Sequence, residues 1–252
     1  MNNPSLVLTA TIDVTVNKTV KIKNSNERLE QYIKSLKKWL TKQNIFKRIV
    51  FVENSGHNLN ELRELVINIK HNKQVEFVSF VSEENKNSTD TGFGELGEIK
   101  YVLDNSKLVG RYFFKCTGRS FVKNINNIKF NNYDIQCNFR NNLVYTDSIF
   151  FGMKTEIFVN HIYPIMLKNA NKGRHFEQGL AMGIHNSLLH GAKWSPIFPM
   201  PYHDGVSGAK GYHYMRQFPI HRRLLKNIVD HLCFKFSYTS YKDGRHYYDV
   251  TK

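Results

Sequence analysis

Four short apolar runs, each closed by polar residues, occupy the first half of the chain and leave it few folds to choose from. Leu6-Val7-Leu8 runs into Thr9-Ala10-Thr11-Ile12-Asp13. Ile49-Val50-Phe51-Val52 is closed by Glu53-Asn54-Ser55-Gly56, a third run spans Val75 to Val81, and Tyr112-Phe113-Phe114 leads into Lys115-Cys116-Thr117-Gly118-Arg119. Between them lie stretches with helical periodicity. Asn24 stands three residues before Glu27, a capping-box spacing, ahead of Leu29, Tyr32, Ile33, Leu36 and Leu40. A second helix starts near Asn58 and buries Leu62, Leu65, Val66 and Ile69; a third opens at Thr91-Gly92-Phe93-Gly94-Glu95 and carries Leu96, Ile99 and Leu103. Strands alternating with helices imply parallel pairing through right-handed crossovers, hence an α/β sheet with helices on both faces.

The second half changes character. Residues 124–142 are rich in Asn and aromatics and read as short strands and turns. Val144 to Met153 reads as a strand, followed by helices from Thr155 to Leu167 and from His175 to His190. The Pro/Gly-rich stretch from Ser195 to Gly211 reads as a long loop of the kind that builds sites. A last helix near Ile220 to Leu232 is expected to bury Leu224, Leu225, Ile228, Val229 and Leu232. No repeat or linker divides the chain. It is taken as a single domain, 1–252, with a first half (1–123), a second half (124–215) and a basic, aromatic C-terminal extension (216–252).

Composition limits the class. The 252 residues are 41% hydrophobic, enough for a sizeable core. Mean hydropathy is −0.45, and no apolar run approaches the roughly 18 residues that span a bilayer. The N-terminus lacks the basic and apolar segments of a secretory signal. Cys116, Cys137 and Cys233 form no C-x-x-C pair, which speaks against a disulfide framework or a cysteine zinc site and for a reducing, cytoplasmic setting. The net charge of +15 favours polyanionic partners. No P-loop, H-x-x-x-H, G-x-S-x-G or third Rossmann glycine exists, so P-loop, metalloprotease, α/β-hydrolase and nicotinamide readings fall away.

In a parallel sheet, ligands collect beyond the carboxyl ends of the strands. Thr9, Thr11, Glu53, Asn54, Gly94, Glu95, Lys115, Thr117, Gly118 and Arg119 are expected to converge there. The first two strand ends supply donors and acceptors able to read a base, and the Lys/Arg pair on its glycine turn suits a phosphate. Taken in this order, with Thr146 to Lys154, His175-Phe176-Glu177 and Gly205-Val206-Ser207-Gly208, the chain resembles GT-A-type glycosyltransferases of capsule, lipopolysaccharide and surface-glycan assembly in bacteria and large viruses over roughly residues 5–215. The resemblance implies a GT-A-like, Rossmann-like mixed sheet, mostly parallel and flanked by helices, with a C-terminal helical and loop region for the acceptor. It implies a nucleotide-sugar donor and a glycan or lipid-linked glycan acceptor. One departure matters: most such enzymes hold a divalent metal through Asp-x-Asp, which this sequence lacks, and Thr117-Gly118-Arg119 stands about where it belongs. Fixed cationic groups can stabilise a leaving diphosphate without metal, so no metal and no cofactor is expected. The alternative is that Arg119 pairs with a local carboxylate and other residues bind a metal.

An inverting transfer needs a base for the acceptor hydroxyl, and a carboxylate suits that role. Glu177, at the start of a helix, is the first candidate; the helix dipole alone would also favour a glutamate there. Asp147 is the second, and Glu95 a third that could instead hold the sugar. His203 and Asp204 in the long loop are candidates for acceptor contact. Arg222, Arg223 and Lys226, with the aromatics beyond, suit peripheral contact with the inner face of a membrane; a solvated face on a packed helix is the plainer reading. Two competing functions stay open. One is a basic nucleic-acid-binding protein, although no RNA- or DNA-binding motif supports specific recognition. The other is a catalytically inactive glycosyltransferase-like binding protein.

Overall fold

The computed structural model describes residues 3–14, 20–82, 91–130, 132–139, 143–207 and 211–214, plus positions 225, 228, 229 and 232, with backbone only at 91–93. Strands β1 (Ser5–Ala10), β2 (Arg48–Glu53), β3 (Gln74–Ser79) and β4 (Tyr112–Thr117) alternate with helices α1 (Ser25–Thr41), α2 (Asn60–Asn68) and α3 (Thr91–Asn105). Then come β5 (Ser120–Val122), a 3-10 turn (Ile125–Asn127), β6 (Ile135–Gln136) and β7 (Phe150–Lys154). Helix α4 (Thr155–Ile157) passes through a π-helical turn (Phe158–Ile162) into α5 (Tyr163–Ala170); α6 (Phe176–Leu189), β8 (Trp194–Ser195) and β9 (His203–Gly205) follow.

The main sheet has the order β3-β2-β1-β4-β7-β6-β8. β1 to β4 are mutually parallel, while β7 runs antiparallel to both β4 and β6. This is the expected mixed, mostly parallel sheet. Side-chain alternation sorts each central strand onto two cores. Leu6, Leu8 and Ala10 pack with Tyr32, Leu36 and Trp39 of α1, whereas Val7 and Phe113 pack with Leu96 and Ile99 of α3 and Leu180 and Ile184 of α6. Both faces are covered, which is why these strands read as unbroken apolar runs. Asn24 caps α1 by accepting from the Glu27 amide at 3.1 Å.

Four expectations are corrected. The strand anticipated from Val144 begins only at Phe150, because Thr146 and Asp147 bond α6 and a neighbouring loop, and Ile149 touches β4 only through the bond its carbonyl accepts from the Thr117 amide. The helix from Thr155 is interrupted by its π-turn and ends at Ala170. The Ser195–Gly211 stretch is no simple loop: β9 inside it pairs antiparallel with β5. Leu225, Ile228, Val229 and Leu232 are helical yet 45–63% exposed rather than buried. Their spacing fixes which residues share a face, not whether anything covers it. Leu224 and the basic residues beside it lie outside the described residues. Among the described residues no helix is long and apolar enough to cross a membrane.

Candidate functional site

The carboxyl ends of β1, β2 and β4 converge, and the groups they carry form two tiers. The lower tier centres on Lys115. On β4 its neighbours Phe114 and Cys116 face α1, so Lys115 points to the α3/α6 side. It is fully buried, and its ammonium has three partners: it pairs with Glu95, donates to Thr117 Oγ1 at 3.1 Å and donates to the Ser148 carbonyl at 2.6 Å. Thr9 Oγ1 donates to the same Glu95 oxygen at 3.0 Å. Below, fully buried Glu98 accepts from the Ala10 amide at 2.9 Å. Burial, with the Glu95 carboxylate nearby, raises its pKa well above the usual glutamate value.

Two of the expected donor contacts are engaged by protein groups. Lys115 lies under the rim, with its three N–H donors engaged. Glu53 is also fully buried: it accepts from the amides of Ile12 and Ser55 (3.0 Å each) and His57 (3.1 Å) and from the Ser55 hydroxyl. A carboxylate so occupied shapes the β1 and β2 loops. Asn54 holds α3 in place, its amide donating to the Gly94 carbonyl at 3.3 Å. Thr11 is clamped through its backbone. Its amide donates to the Tyr32 hydroxyl at 3.0 Å, and its carbonyl accepts from buried Arg28. Burial lowers the Arg28 pKa from its ordinary value.

The upper tier holds Arg119, Asp147, Glu177 and His203. Gly118 makes the turn that lifts Arg119: its amide donates to the Thr9 carbonyl at 2.8 Å, and a Cβ there would come within 2.7 Å of that oxygen. Arg119 is 8% exposed, lies 5.7 Å from the Tyr32 ring centre and donates from Nη1 to Gln31 at 3.3 Å; its buried Nε has no partner among the described residues. His203, carried by β9, places Nε2 3.2 Å from Asp147 Oδ2 while its buried Nδ1 stays unpartnered among the described residues. Asp147 is aimed by the Ile149 amide, which donates to Oδ1 at 2.9 Å. Glu177 accepts from Ser148 Oγ at 3.0 Å through one oxygen. Ser148 thus links the Glu177 carboxylate to the Lys115 ammonium.

β9 reaches this position because residue 205 is glycine; a Cβ would collide with the Arg119 carbonyl just before β5. Asp204 points away from His203, to Lys38 at 2.8 Å and His213 at 3.3 Å. Burial opposes its ionisation, yet Lys38, aided by His213 and Lys123, holds its pKa below the ordinary value. Tyr214 stands over the upper tier, 6.1 Å ring to ring from His203. Burial pushes its hydroxyl up to about 12, against the pull of Arg119 and a bond to Ser207.

Sequence reasoning named Arg119, Asp147, Glu177 and His203, and the fold brings them to one rim. Ser148, Gln31 and Tyr214 were missed. Only packing brings them to the site, and nothing in their own residue types or spacing signals it. A threonine, a glycine and an arginine stand at the end of β4, and among the described residues no three His, Cys, Asp or Glu side chains gather.

No family model and no curated protein sequence matches the chain. Solved structures do. A glycosyltransferase, GlyE of Streptococcus pneumoniae TIGR4, superposes with a TM-score of 0.52 at 6% identity over 79% of this chain and 46% of that one. This chain therefore spans about half the length of that relative. An active-site mutant of LgtC matches at 0.49 and 7% identity over 76% of this chain and 72% of that one. Core-mannan synthase A of Aspergillus fumigatus, in a Mn/GDP form, matches at 0.49 and 9% over 93% and 85%. The fold is thus the GT-A-like, Rossmann-like α/β fold seen in a solved glycosyltransferase.

Proposed function

We propose that the chain is a glycosyltransferase that moves a sugar from a nucleotide-sugar donor to a glycan acceptor of a cell surface, without a divalent metal. One observation carries this reading: a buried arginine at the β4 end whose Nε has no partner among the described residues, seated above the Lys115–Glu95 ion pair. A donor diphosphate beside Arg119 accepts that N–H and gains a fixed positive charge where negative charge develops as the glycosidic bond breaks. Lys115 supports the site indirectly by holding Glu95 and the Ser148 backbone.

In the transfer, the acceptor hydroxyl oxygen bonds to the anomeric carbon, the bond from that carbon to the diphosphate oxygen breaks, and the hydroxyl proton passes to a carboxylate. Glu177 is the base in this scheme: one oxygen is fixed by Ser148, and the other makes no hydrogen bond among the described residues. Asp147, engaged with His203 and the Ile149 amide, orients the acceptor side. The exposed Leu225, Ile228, Val229 and Leu232, in a stretch whose sequence also holds Arg222, Arg223 and Lys226, suit peripheral contact with a membrane bearing a lipid-linked acceptor.

The test is a donor screen read by release of nucleoside diphosphate, with EDTA and with Mn²⁺. Turnover of one nucleotide-sugar family in EDTA, abolished in Glu177→Gln with nucleotide binding retained, is expected. Turnover only with Mn²⁺ contradicts the metal-free scheme, and unchanged turnover in Glu177→Gln removes Glu177 as base.

A further inference from the structure

The rim at Arg119 opens onto a basic track along α1. Gln31, Lys34, Lys38 and Lys42 recur at i, i+3, i+7 and i+11, so they share one stripe of the helix. Contacts fix its course. Gln31 accepts from Arg119 at one end, Lys38 reaches Asp204 of β9 midway, and the Lys42 carbonyl accepts from Asn126 in the 3-10 turn at the far end. From Gln31 to Lys42 the rise is about 16 Å. Lys34 and Lys42 are exposed, and exposed Lys123 joins from the neighbouring segment. Asp204 is the one carboxylate that contacts the track beyond Gln31 among the described residues; Lys38 pairs with it at 2.8 Å, and His213 Nε2 lies 3.3 Å from its other oxygen. The helix dipole favours lysines in the last turn of α1, but it does not bring Lys123 and His213 to the same place.

We propose that this track binds the acceptor, and that the acceptor is an anionic glycan carrying carboxylate, sulfate or phosphate groups. The proposal rests on the glycosyltransferase reading and adds the acceptor's chemical class to it. Two features of α1 choose this ligand. Its large apolar side chains Leu29, Tyr32, Leu36, Trp39 and Leu40 are buried, so the track offers a lipid surface nothing to insert. Tyr32 and Trp39 are also its only aromatics, so it presents no ring for bases to stack on, the usual platform for single-stranded nucleic acid. What remains is a row of flexible ammonium groups leading away from the transfer site, suited to charges repeated along a solvated chain.

The test is equilibrium binding of a fluorescent oligogalacturonate octamer to the full chain. Neutral maltooctaose and a single-stranded DNA octamer serve as comparison probes. The octagalacturonate is expected to bind with salt-sensitive affinity and maltooctaose not to bind. Lys34→Glu/Lys42→Glu is expected to weaken the octagalacturonate roughly tenfold, while Lys70→Glu/Lys172→Glu, an equal charge change at exposed sites off the stripe, leaves it within about twofold. Equal losses in the two double variants, or binding of maltooctaose as tight as that of the uronate, overturns the proposal. So does tighter binding of the DNA with the same dependence on Lys34 and Lys42. Nucleotide thermal shifts on the same variants separate the two claims. Uronate binding on the track with no nucleotide binding leaves the track and removes the transferase, whereas the reverse keeps the donor site and removes the anionic acceptor.

Discussion

The two tiers of the site differ in what their charged groups lack. In the lower tier Lys115, Glu95 and Glu53 are each bonded to protein partners, and nothing there calls for a ligand. In the upper tier Arg119 and His203 each keep a buried nitrogen without a partner among the described residues. Buried polar groups are nearly always satisfied in folded proteins. Two such nitrogens above the bonded Lys115–Glu95 pair are the observation on which the proposed donor site rests. In the proposed scheme the lower tier supports the site and the upper tier binds, whereas a sequence reading places Lys115 and Arg119 in one clamp.

Substitutions can break this contrast. The largest effect is expected from Lys115→Met, which strips Glu95 of its ion pair and leaves the Ser148 carbonyl unbonded. The loss of stability is about 3 kcal/mol, the low end for a broken buried pair because Glu95 keeps some access to solvent. Chemical denaturation measures it, and a loss below about 1 kcal/mol would dissolve the distinction between tiers. Gly205→Ala is next, at roughly 2 kcal/mol. The new methyl meets the Arg119 carbonyl, so β9 must shift and take His203 off Asp147. Transfer is then expected to fall more than donor binding.

Glu98→Gln sharpens the contrast from below with a small effect of opposite sign. Its folded pKa is raised above the unfolded value, so its contribution to stability is present below the unfolded pKa and lost as pH rises through the folded one. Glutamine keeps the oxygen that accepts from Ala10 and cannot ionise. A melting temperature for Glu98→Gln at or above that of the parent at neutral pH, with the gap closing toward pH 4, is the expected result. A lower melting temperature at neutral pH would mean that the charge itself is needed. Asp204→Asn is expected to change least. The pKa of Asp204 is depressed, so its contribution is present above the unfolded value and lost as pH falls through the folded one, and its partners are partly exposed. Urea midpoints at pH 7 and pH 3 compare the two proteins; a gap that is larger at pH 3 contradicts this sign.

The parallel half was legible because a strand buried on both faces must be apolar throughout, and Ile49-Val50-Phe51-Val52 can do little else. The placement of Arg119 and Glu177 at one rim was legible because one stands at a strand end and the other at a helix start. Lys115 shows the limit of that rule. Its position between Phe114 and Cys116 already placed it inside an apolar run, where a lysine survives only when paired, but its partner Glu95 is twenty residues earlier on another element. β5 and β9 were invisible because three-residue strands have no periodicity to read and exist only through pairing across some eighty residues of chain. The exposure of Leu225 and Leu232 among the described residues follows the same logic, since a periodic stripe says which residues share a face and not what lies against it.

The most direct test is calorimetric titration of nucleoside diphosphates in EDTA against the parent protein and Arg119→Ala, with denaturation curves of both. The account predicts that one diphosphate binds the parent without metal, that Arg119→Ala loses roughly tenfold or more in affinity, and that its stability changes by less than about 1 kcal/mol. Equal affinity in the two proteins, or a loss of binding explained by unfolding of Arg119→Ala, would contradict it.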